Sequence, residues 1–289
     1  MNIKLKQKNS VAGFLLCLPA IFGLILFFVI PFELCIQMSF TKSTLNPEFV
    51  GFANYIEILN SSAFQLAAGN TFKFIAVAVP VIIVFSLFIA LLLYRKLKGH
   101  AFFRAVFIFP LVLPTASVVL FFQIIFFNGG LLDSAMQALG IPVVDWMNSP
   151  FAFVGLVILY VWKNCGYNIV LFLAALNSIP HSYYEAAEID GANGRNKLFN
   201  ITIPLIMPYS FFILIISIVN SFKAFREAYI LYGPYPNQSI YMLQHFMNNN
   251  FQNLNYIRLS VGAILVFLMI FVAVFILYRL KNKMGSVEL

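Results

Sequence analysis

Long stretches without a charged residue are the feature that most constrains this chain. Five runs contain no Asp, Glu, Lys or Arg, and each is close to the roughly 20 apolar residues that a helix needs to cross about 30 Å of hydrocarbon. A sixth run is apolar except for Lys163. The sequence therefore predicts six transmembrane helices, at 11–32, 74–94, 105–127, 151–176, 201–222 and 259–278.

The overall composition supports a lipid environment. Of the 289 residues, 62% are hydrophobic and only 10% are charged, whereas a soluble protein carries about 25% charged residues. The net charge of +8 does not indicate nucleic-acid binding, because the Lys and Arg residues lie in short clusters beside apolar runs, a pattern typical of membrane anchoring. We expect an all-α integral membrane protein in which residues 1–289 form one transmembrane domain, with the lipid bilayer as its solvent.

The distribution of basic residues predicts the orientation. The first run follows Lys4, Lys6 and Lys8, but at 22 residues it exceeds the 7–15 apolar residues of a signal peptide, so we interpret it as a retained span. If the N-terminus is cytoplasmic, 12 of the 18 Lys and Arg residues fall in cytoplasmic segments. The positive-inside rule then places both termini in the cytoplasm.

The segment between the fourth and fifth spans, here called the 178–204 loop, carries two helix signals. Ser182 and Glu185 have the spacing of a capping box, which predicts a helix from Tyr183 to Asp190 that Gly191 ends in a left-handed conformation. Asn193 can cap a second helix through Phe199. This helix–turn–helix would fit a groove on a partner, although an ordinary loop with amphipathic surface helices remains the alternative.

The loop also resembles a known motif. Glu185-Ala186-Ala187, then Gly191 four residues on, and Ile201-x-Ile203-Pro204 resemble the EAA motif of binding-protein-dependent ATP-binding-cassette importers, with Ile203 where the family usually has Leu. Arg195 stands where the family often has an aromatic residue. Residues 232–236 depart from the T-G-G-G-P sequence that the family usually has after the fifth span. Segments similar to the sugar-permease branch of maltose and glycerol-phosphate systems are Leu18-Pro19-Ala20, 49–55, 102–114 and 162–180. By this resemblance the ATPase-coupling residues are Glu185, Ala186, Ala187, Gly191, Ile201 and Pro204.

The resemblance implies a type I importer permease in a bacterial cell membrane that translocates a sugar or oligosaccharide delivered by an extracytoplasmic binding protein. It implies a second homologous permease, forming a heterodimer, and two ATPase subunits or domains. The chain has no G-x-x-x-x-G-K-S/T phosphate loop, so we expect ATP and Mg²⁺ on the partner ATPase and no cofactor on this chain. Dispersed histidines and three cysteines without C-x-x-C spacing predict neither catalytic nor metal-binding residues.

Two polar stripes within the spans are candidates for substrate binding. On the fourth span the polar residues recur at positions i, i+3, i+4 and i+7, a spacing that places them on one helical face. Near the end of the fifth span, Ser and Asn residues lie together. The alternative is hydrogen bonding that holds helices together. A charged side chain such as that of Lys163 is energetically unfavourable when it faces lipid. In the maltose permease, sugar-contacting positions align with the same residues, which are Tyr160, Lys163, Asn164, Tyr167, Ser217, Asn220 and Ser221.

Three alternatives to a sugar permease are an importer of another solute, an intramembrane enzyme and a passive channel. The same importer architecture could carry another solute, such as a glycerol phosphodiester, an acidic sugar or an amino acid. An intramembrane enzyme would require paired acids, a Ser–His pair or a metal set inside the spans, and the predicted span cores contain no His, Asp or Glu. A passive channel would not need the 178–204 loop. We therefore expect a permease rather than an enzyme.

Overall fold

The computed structural model describes residues 2–94 and 99–284, and every regular element in those ranges is helical. Arg95, Lys96 and Lys98, which contribute to the predicted orientation, lie outside the described residues. The α-helices are α1 (Asn2–Leu24), α2 (Ile30–Ser39), α3 (Ala53–Leu59), α4 (Ser62–Tyr94), α5 (His100–Val112), α6 (Thr115–Phe126), α7 (Leu131–Ala138), α8 (Ala152–Asn177), α9 (Ser182–Ile189), α10 (Gly194–Lys197), α11 (Ile203–Ser221), α12 (Phe225–Tyr232), α13 (Leu243–Gln252) and α14 (Tyr256–Met284).

Six helical stretches among the described residues are long and apolar enough to cross a membrane. This confirms the predicted number of spans and the all-α fold class. A shorter apolar helix covers Ala101–Val112. The six stretches are Gly13–Ser39, Ser62–Tyr94, Thr115–Ala138, Ala152–Asn177, Gly194–Tyr232 and Tyr256–Leu280.

Several helices are longer than the apolar runs that predicted them. Helix α4 begins at Ser62 rather than Phe74, and the helical stretch that contains the fifth span continues to Tyr232 rather than ending at Phe222. The extra turns of α4 hold polar residues with partners of their own, since Asn70 Nδ2 donates to the carbonyl of Tyr241 at 2.9 Å. Hydropathy locates the apolar part of a helix, whereas capping and hydrogen bonding decide where the helix ends.

The predicted third span is not one helix. Two helices replace the run 105–127, because α5 ends at Val112 and α6 begins at Thr115. Leu113 between them is extended, with φ −69° and ψ 141°. A residue before proline is disfavoured from the α region, so Pro114 accounts for the break.

The described residues divide into two compact units. The first contains the segments before Ser62 together with Asn249–Phe267. In it, the Asn54 amide donates to the carbonyls of Ser39 and Thr41 at 2.9 and 2.8 Å, which attaches α3 to the end of α2. An exposed ion pair joins Arg258 to Glu57 at 2.8 Å.

The second unit, Ser62–Asn248 with the segment after Phe267, contains the larger core. Buried side chains of α4, α8 and α11, among them Phe74, Phe172 and Ile213, form its main cluster. The backbones of α5 and α8 approach each other closely at Gly166. A Cβ atom added there would lie 2.3 Å from the carbonyl oxygen of Phe107 in α5. Glycine is therefore required at residue 166 for the backbones to approach.

Candidate functional site

A polar cavity of about 240 Å³ opens within the second unit. Helices α8, α11 and α12 supply most of its walls, while α4 and α5 contribute the apolar side chains of Ile82 and Leu111. The cavity therefore lies where the two predicted polar stripes meet. The predicted residues that line it are Tyr160, Lys163, Asn164, Tyr167, Ser217 and Asn220.

Ser221, the seventh predicted residue, does not line the cavity. Its side chain is buried, and its hydroxyl donates to the carbonyl of Ile218 at 2.6 Å. Such a bond to the preceding helical turn is common for serine within helices. The structure therefore brings six of the seven residues together and leaves this serine within α11.

Lys163 is neutralised inside the protein by a carboxylate. Its Nζ donates to Glu227 Oε1 at 2.5 Å and to Thr115 Oγ1 at 2.7 Å. The two charged residues are only 8% and 5% exposed. A buried charge is tolerated when it is paired and hydrogen-bonded, so the pair explains how a lysine sits in the middle of α8.

The remaining cavity residues differ in how much of their hydrogen-bonding capacity is already used. Ser217 is buried and its hydroxyl accepts from Asn168 Nδ2 at 2.9 Å, a bond that joins α8 to α11. Asn164 donates to the carbonyl of Tyr160 within α8 at 2.8 Å. Tyr167 by contrast is 36% exposed, and its ring forms part of the cavity wall. Its ring thus remains accessible for a ligand.

The 178–204 loop ends its first helix with a Schellman motif. Gly191 has φ +76°, as predicted, and its N–H donates to the carbonyl of Glu188 at 3.1 Å. The next N–H, of Ala192, donates to the carbonyl of Ala187 at 2.8 Å. These two bonds satisfy the last carbonyls of α9 and reverse the chain.

The predicted capping box at the start of this helix is absent. Helix α9 begins at Ser182 with His181 as its N-cap, and no side chain caps it. Glu185 contacts the imidazole instead, since its Oε1 lies 3.1 Å from His181 Nδ1. Because the helix starts one residue earlier than predicted, Ser182 is already helical and is not in the N-cap position that a capping box requires.

The second helix of the loop is capped as predicted but does not end at Phe199. Asn193 Oδ1 accepts from the N–H of Asn196 at 2.9 Å, and α10 follows. The chain then passes through a π-helical turn, Leu198–Thr202, directly into α11. Pro204 follows this turn at the start of α11, and single π turns of this kind occur as interruptions within α-helices.

Two further contacts stabilise the loop, while its motif residues remain accessible. Lys197 donates to Glu188 Oε1 at 2.6 Å, and this hydrogen bond lowers the pKa of the Glu188 carboxyl below its ordinary value. The Tyr184 hydroxyl lies 3.0 Å from Thr202 Oγ1. Glu185 and Ala186 are exposed, and Ile201 and Ala187 are half-buried. The loop is thus an ordered projection with an exposed α9.

Comparison with known proteins establishes the family. A family model described as "Binding-protein-dependent transport system inner membrane component" matches residues 82–286. The chain belongs to this family. The cavity and the 178–204 loop of the permease both lie inside the matched segment.

Relatives and solved structures agree with this assignment. The permease is 32% identical over 241 residues to the trehalose/maltose transport system permease protein MalF of Thermococcus litoralis, covering 82% of each chain. It is 31% identical to the probable ABC transporter permease protein YesP of Bacillus subtilis, covering 91% of this chain and 87% of that one. A bacterial alginate ABC transporter chain, solved in complex with a periplasmic protein bound to alginate pentasaccharide, covers all of both chains at a TM-score of 0.87 and 18% identity, which supports the fold.

Sequence reasoning missed the carboxylate at the centre of the site. Glu227 lies five residues beyond the predicted end of the fifth span, so hydropathy places it outside the spans. One signal was present, since no proline or glycine occurs between Pro208 and Gly233, and an uninterrupted stretch of this kind allows a helix to continue. A lysine within another span also requires a partner. Asn168 and Thr115 were missed as well.

Proposed function

We propose that this permease forms part of the transmembrane pathway of an ATP-driven importer that moves a sugar or oligosaccharide delivered by an extracytoplasmic binding protein. The observation that carries the proposal is the polar cavity, where tyrosine rings and amides meet within helices that are otherwise apolar. Aromatic faces pack on sugar rings and amides bond to hydroxyl groups. The trehalose/maltose permease of Thermococcus litoralis supports a saccharide as the cargo.

The energy comes from a separate ATPase. The exposed α9 and the turn at Gly191 form a rigid projection whose motif residues, Glu185, Ala186, Ala187, Gly191, Ile201 and Pro204, contact that ATPase. ATP and Mg²⁺ bind to the ATPase and not to this chain. Nucleotide-driven closure of two ATPase subunits moves the loop, and the cavity changes its access from one side to the other as a rigid-body transition.

The assembly we propose has one permease of each of two homologous kinds, two ATPase subunits and the binding protein. Both termini and the 178–204 loop face the cytoplasm of a bacterial cell. The cavity residues Tyr160, Lys163, Asn164, Tyr167, Ser217 and Asn220 surround the substrate path, and Ser221 supports α11 next to it. Residues 1–289 act as one transmembrane domain.

Reconstitution tests the proposal. The permease, its partner permease and the ATPase are placed in proteoliposomes, and uptake of radiolabelled oligosaccharides is measured with and without the cognate binding protein. We expect ATP-dependent uptake of at least one saccharide that requires the binding protein. Uptake that proceeds equally without ATP would contradict an importer and favour a passive channel.

The orientation has its own test. In a variant whose Cys17, Cys35 and Cys165 are replaced by Ala, single cysteines are introduced at Asn148 and at Asn196, both exposed. We expect an impermeant maleimide to label the cysteine at 148 in intact cells and the cysteine at 196 only after the cells are opened. The reverse pattern would overturn the proposed orientation.

A further inference from the structure

The cavity contains more positive than negative charge. Among the residues that the structure describes, three cations and one carboxylate, Glu227, line the cavity. Lys163 already forms an ion pair with Glu227, because Lys163 Nζ lies 2.5 Å from Glu227 Oε1. The two side chains are 10% and 7% exposed. The pair is internally neutral, so the charge that a ligand meets comes from the other two cations.

Those two cations lie on one face of the helical stretch that ends the fifth span. Lys223 and Arg226 are three residues apart, which places their side chains on neighbouring turns. Both are exposed. Lys223 Nζ donates to a neutral partner, Asn220 Oδ1, at 3.3 Å, and it forms no ion pair within the described part of the chain. Arg226 makes no hydrogen bond or ion pair with any residue in 2–94 or 99–284.

We propose that Lys223 and Arg226 determine specificity for a saccharide that carries an anionic group, while Lys163 is already paired with Glu227. The inference rests on the proposed function and names the substrate class of the same cavity. Arginine presents a planar set of donors that matches a carboxylate or phosphate in two parallel hydrogen bonds. Lysine supplies a second, more mobile positive charge.

A neutral sugar fits this cavity less well. It would bring hydroxyl groups to the tyrosine and asparagine side chains but would leave two cations facing the ligand without a counter-charge. Partial loss of hydration around an unpaired charge is unfavourable, whereas an anionic group on the sugar offsets that cost. The sugar ring and the anionic group would thus be recognised by different parts of the same cavity.

Substrate-stimulated ATP hydrolysis by the complete importer, reconstituted with its binding protein, tests this proposal. The probes are trigalacturonate, glucose 6-phosphate, and the neutral maltotriose and xylotriose. We expect stimulation by an anionic probe, with the half-saturating concentration rising about tenfold in Lys223→Gln and in Arg226→Gln, the size expected from one charge-assisted hydrogen bond. Which of the two anionic probes acts distinguishes a carboxylate from a phosphate.

Matched variants separate specificity from folding. Lys42→Gln removes an exposed cation, 71% accessible, that does not line the cavity, and it should leave the half-saturating concentration within twofold of the parent. Arg226→Lys should recover part of the loss. Stimulation by neutral probes alone, or unchanged concentrations in both glutamine variants, would overturn this inference and leave the importer intact. If no saccharide stimulates hydrolysis, the proposed function fails together with the inference.

Discussion

The turns of the 178–204 loop and the polar cavity are stabilised by contacts that span different distances along the sequence. In the loop, the Schellman bonds at Gly191 and the cap at Asn193 join residues three to five positions apart. In the cavity, Lys163 and Glu227 are 64 residues apart and Asn168 and Ser217 are 49 apart. The turns of the loop therefore depend on the conformation of single residues such as Gly191, whereas the cavity depends on side chains that must be present in pairs.

The largest effect is expected at the turn of the loop. Gly191→Pro should abolish substrate-stimulated ATP hydrolysis, because proline fixes φ near −65° and residue 191 has φ +76°. The matched control is Gly194→Pro. Gly194 is the first residue of α10 after its N-cap, a position where proline is tolerated.

Reconstituted importer provides the measurement for this pair. Gly194→Pro should retain activity within about twofold of the parent, since the first helical N–H needs no partner within the helix. Equal activity in both proline variants would show that the conformation at Gly191 does not matter for coupling.

The second expected effect is in the cavity. Lys163→Met or Glu227→Gln alone should lower the free energy of unfolding by about 3–5 kcal/mol, because each leaves a buried group without its partner. The double variant Lys163→Met/Glu227→Met should recover most of that loss, since replacing a buried pair with apolar residues is often neutral. Denaturant titration of the purified permease in detergent measures both quantities.

An exposed ion pair serves as the comparison for the buried one. Lys42 and Glu48 lie 3.7 Å apart with 71% and 70% of their side chains exposed, and such pairs contribute at most about 1 kcal/mol. Lys42→Met should therefore change the free energy of unfolding by less than that. Additive losses in the Lys163 and Glu227 double variant would contradict the pairing.

The difference in range also explains what the sequence could predict. The left-handed turn at Gly191 and the cap at Asn193 follow from residue type and spacing, and the structure has both. The side of α8 that meets the cavity follows from helical periodicity. The number of spans follows from the length of apolar runs.

Features that depend on distant residues were not predictable in the same way. The partner of Lys163 lies on another helix, beyond the end of the apolar run, so periodicity within one span could not identify it. The prediction of the capping box was wrong for a different reason. Its spacing is present at Ser182 and Glu185, but α9 starts one residue early and Glu185 contacts His181 instead. Spacing alone does not determine where a helix begins.

A third prediction separates residues that support the cavity from residues that meet a ligand. Ser217→Ala should lower the free energy of unfolding by about 1–3 kcal/mol, because the buried Asn168 amide then loses its acceptor. Tyr167→Ala should leave stability nearly unchanged but raise the half-saturating concentration for uptake several-fold, since that side chain is 36% exposed on the cavity wall. Thermal unfolding and uptake are measured on the same preparations. Equal effects of both variants on both quantities would remove the distinction.

The smallest expected effect concerns the ion pair of the loop. Lys197 lies 2.6 Å from Glu188 and lowers the pKa of that carboxyl. A carboxyl whose pKa is lower in the folded loop than in the unfolded chain stabilises the loop above the unfolded value, near 4.3. This contribution is lost as the pH falls through the lower, folded value. Because Glu188 is exposed, salt should weaken the effect.

Titration of the Glu188 side-chain carbon by NMR tests this final prediction. In Lys197→Gln the pKa of Glu188 should rise toward its ordinary value, because the hydrogen bond from the ammonium group and its charge are both removed. Lys197→Arg keeps the charge and should keep the pKa low. If the pKa is the same in all three proteins, Lys197 does not pair with Glu188 in solution. The backbone turn and the contact between Tyr184 and Thr202 would then remain to join the two segments of the loop.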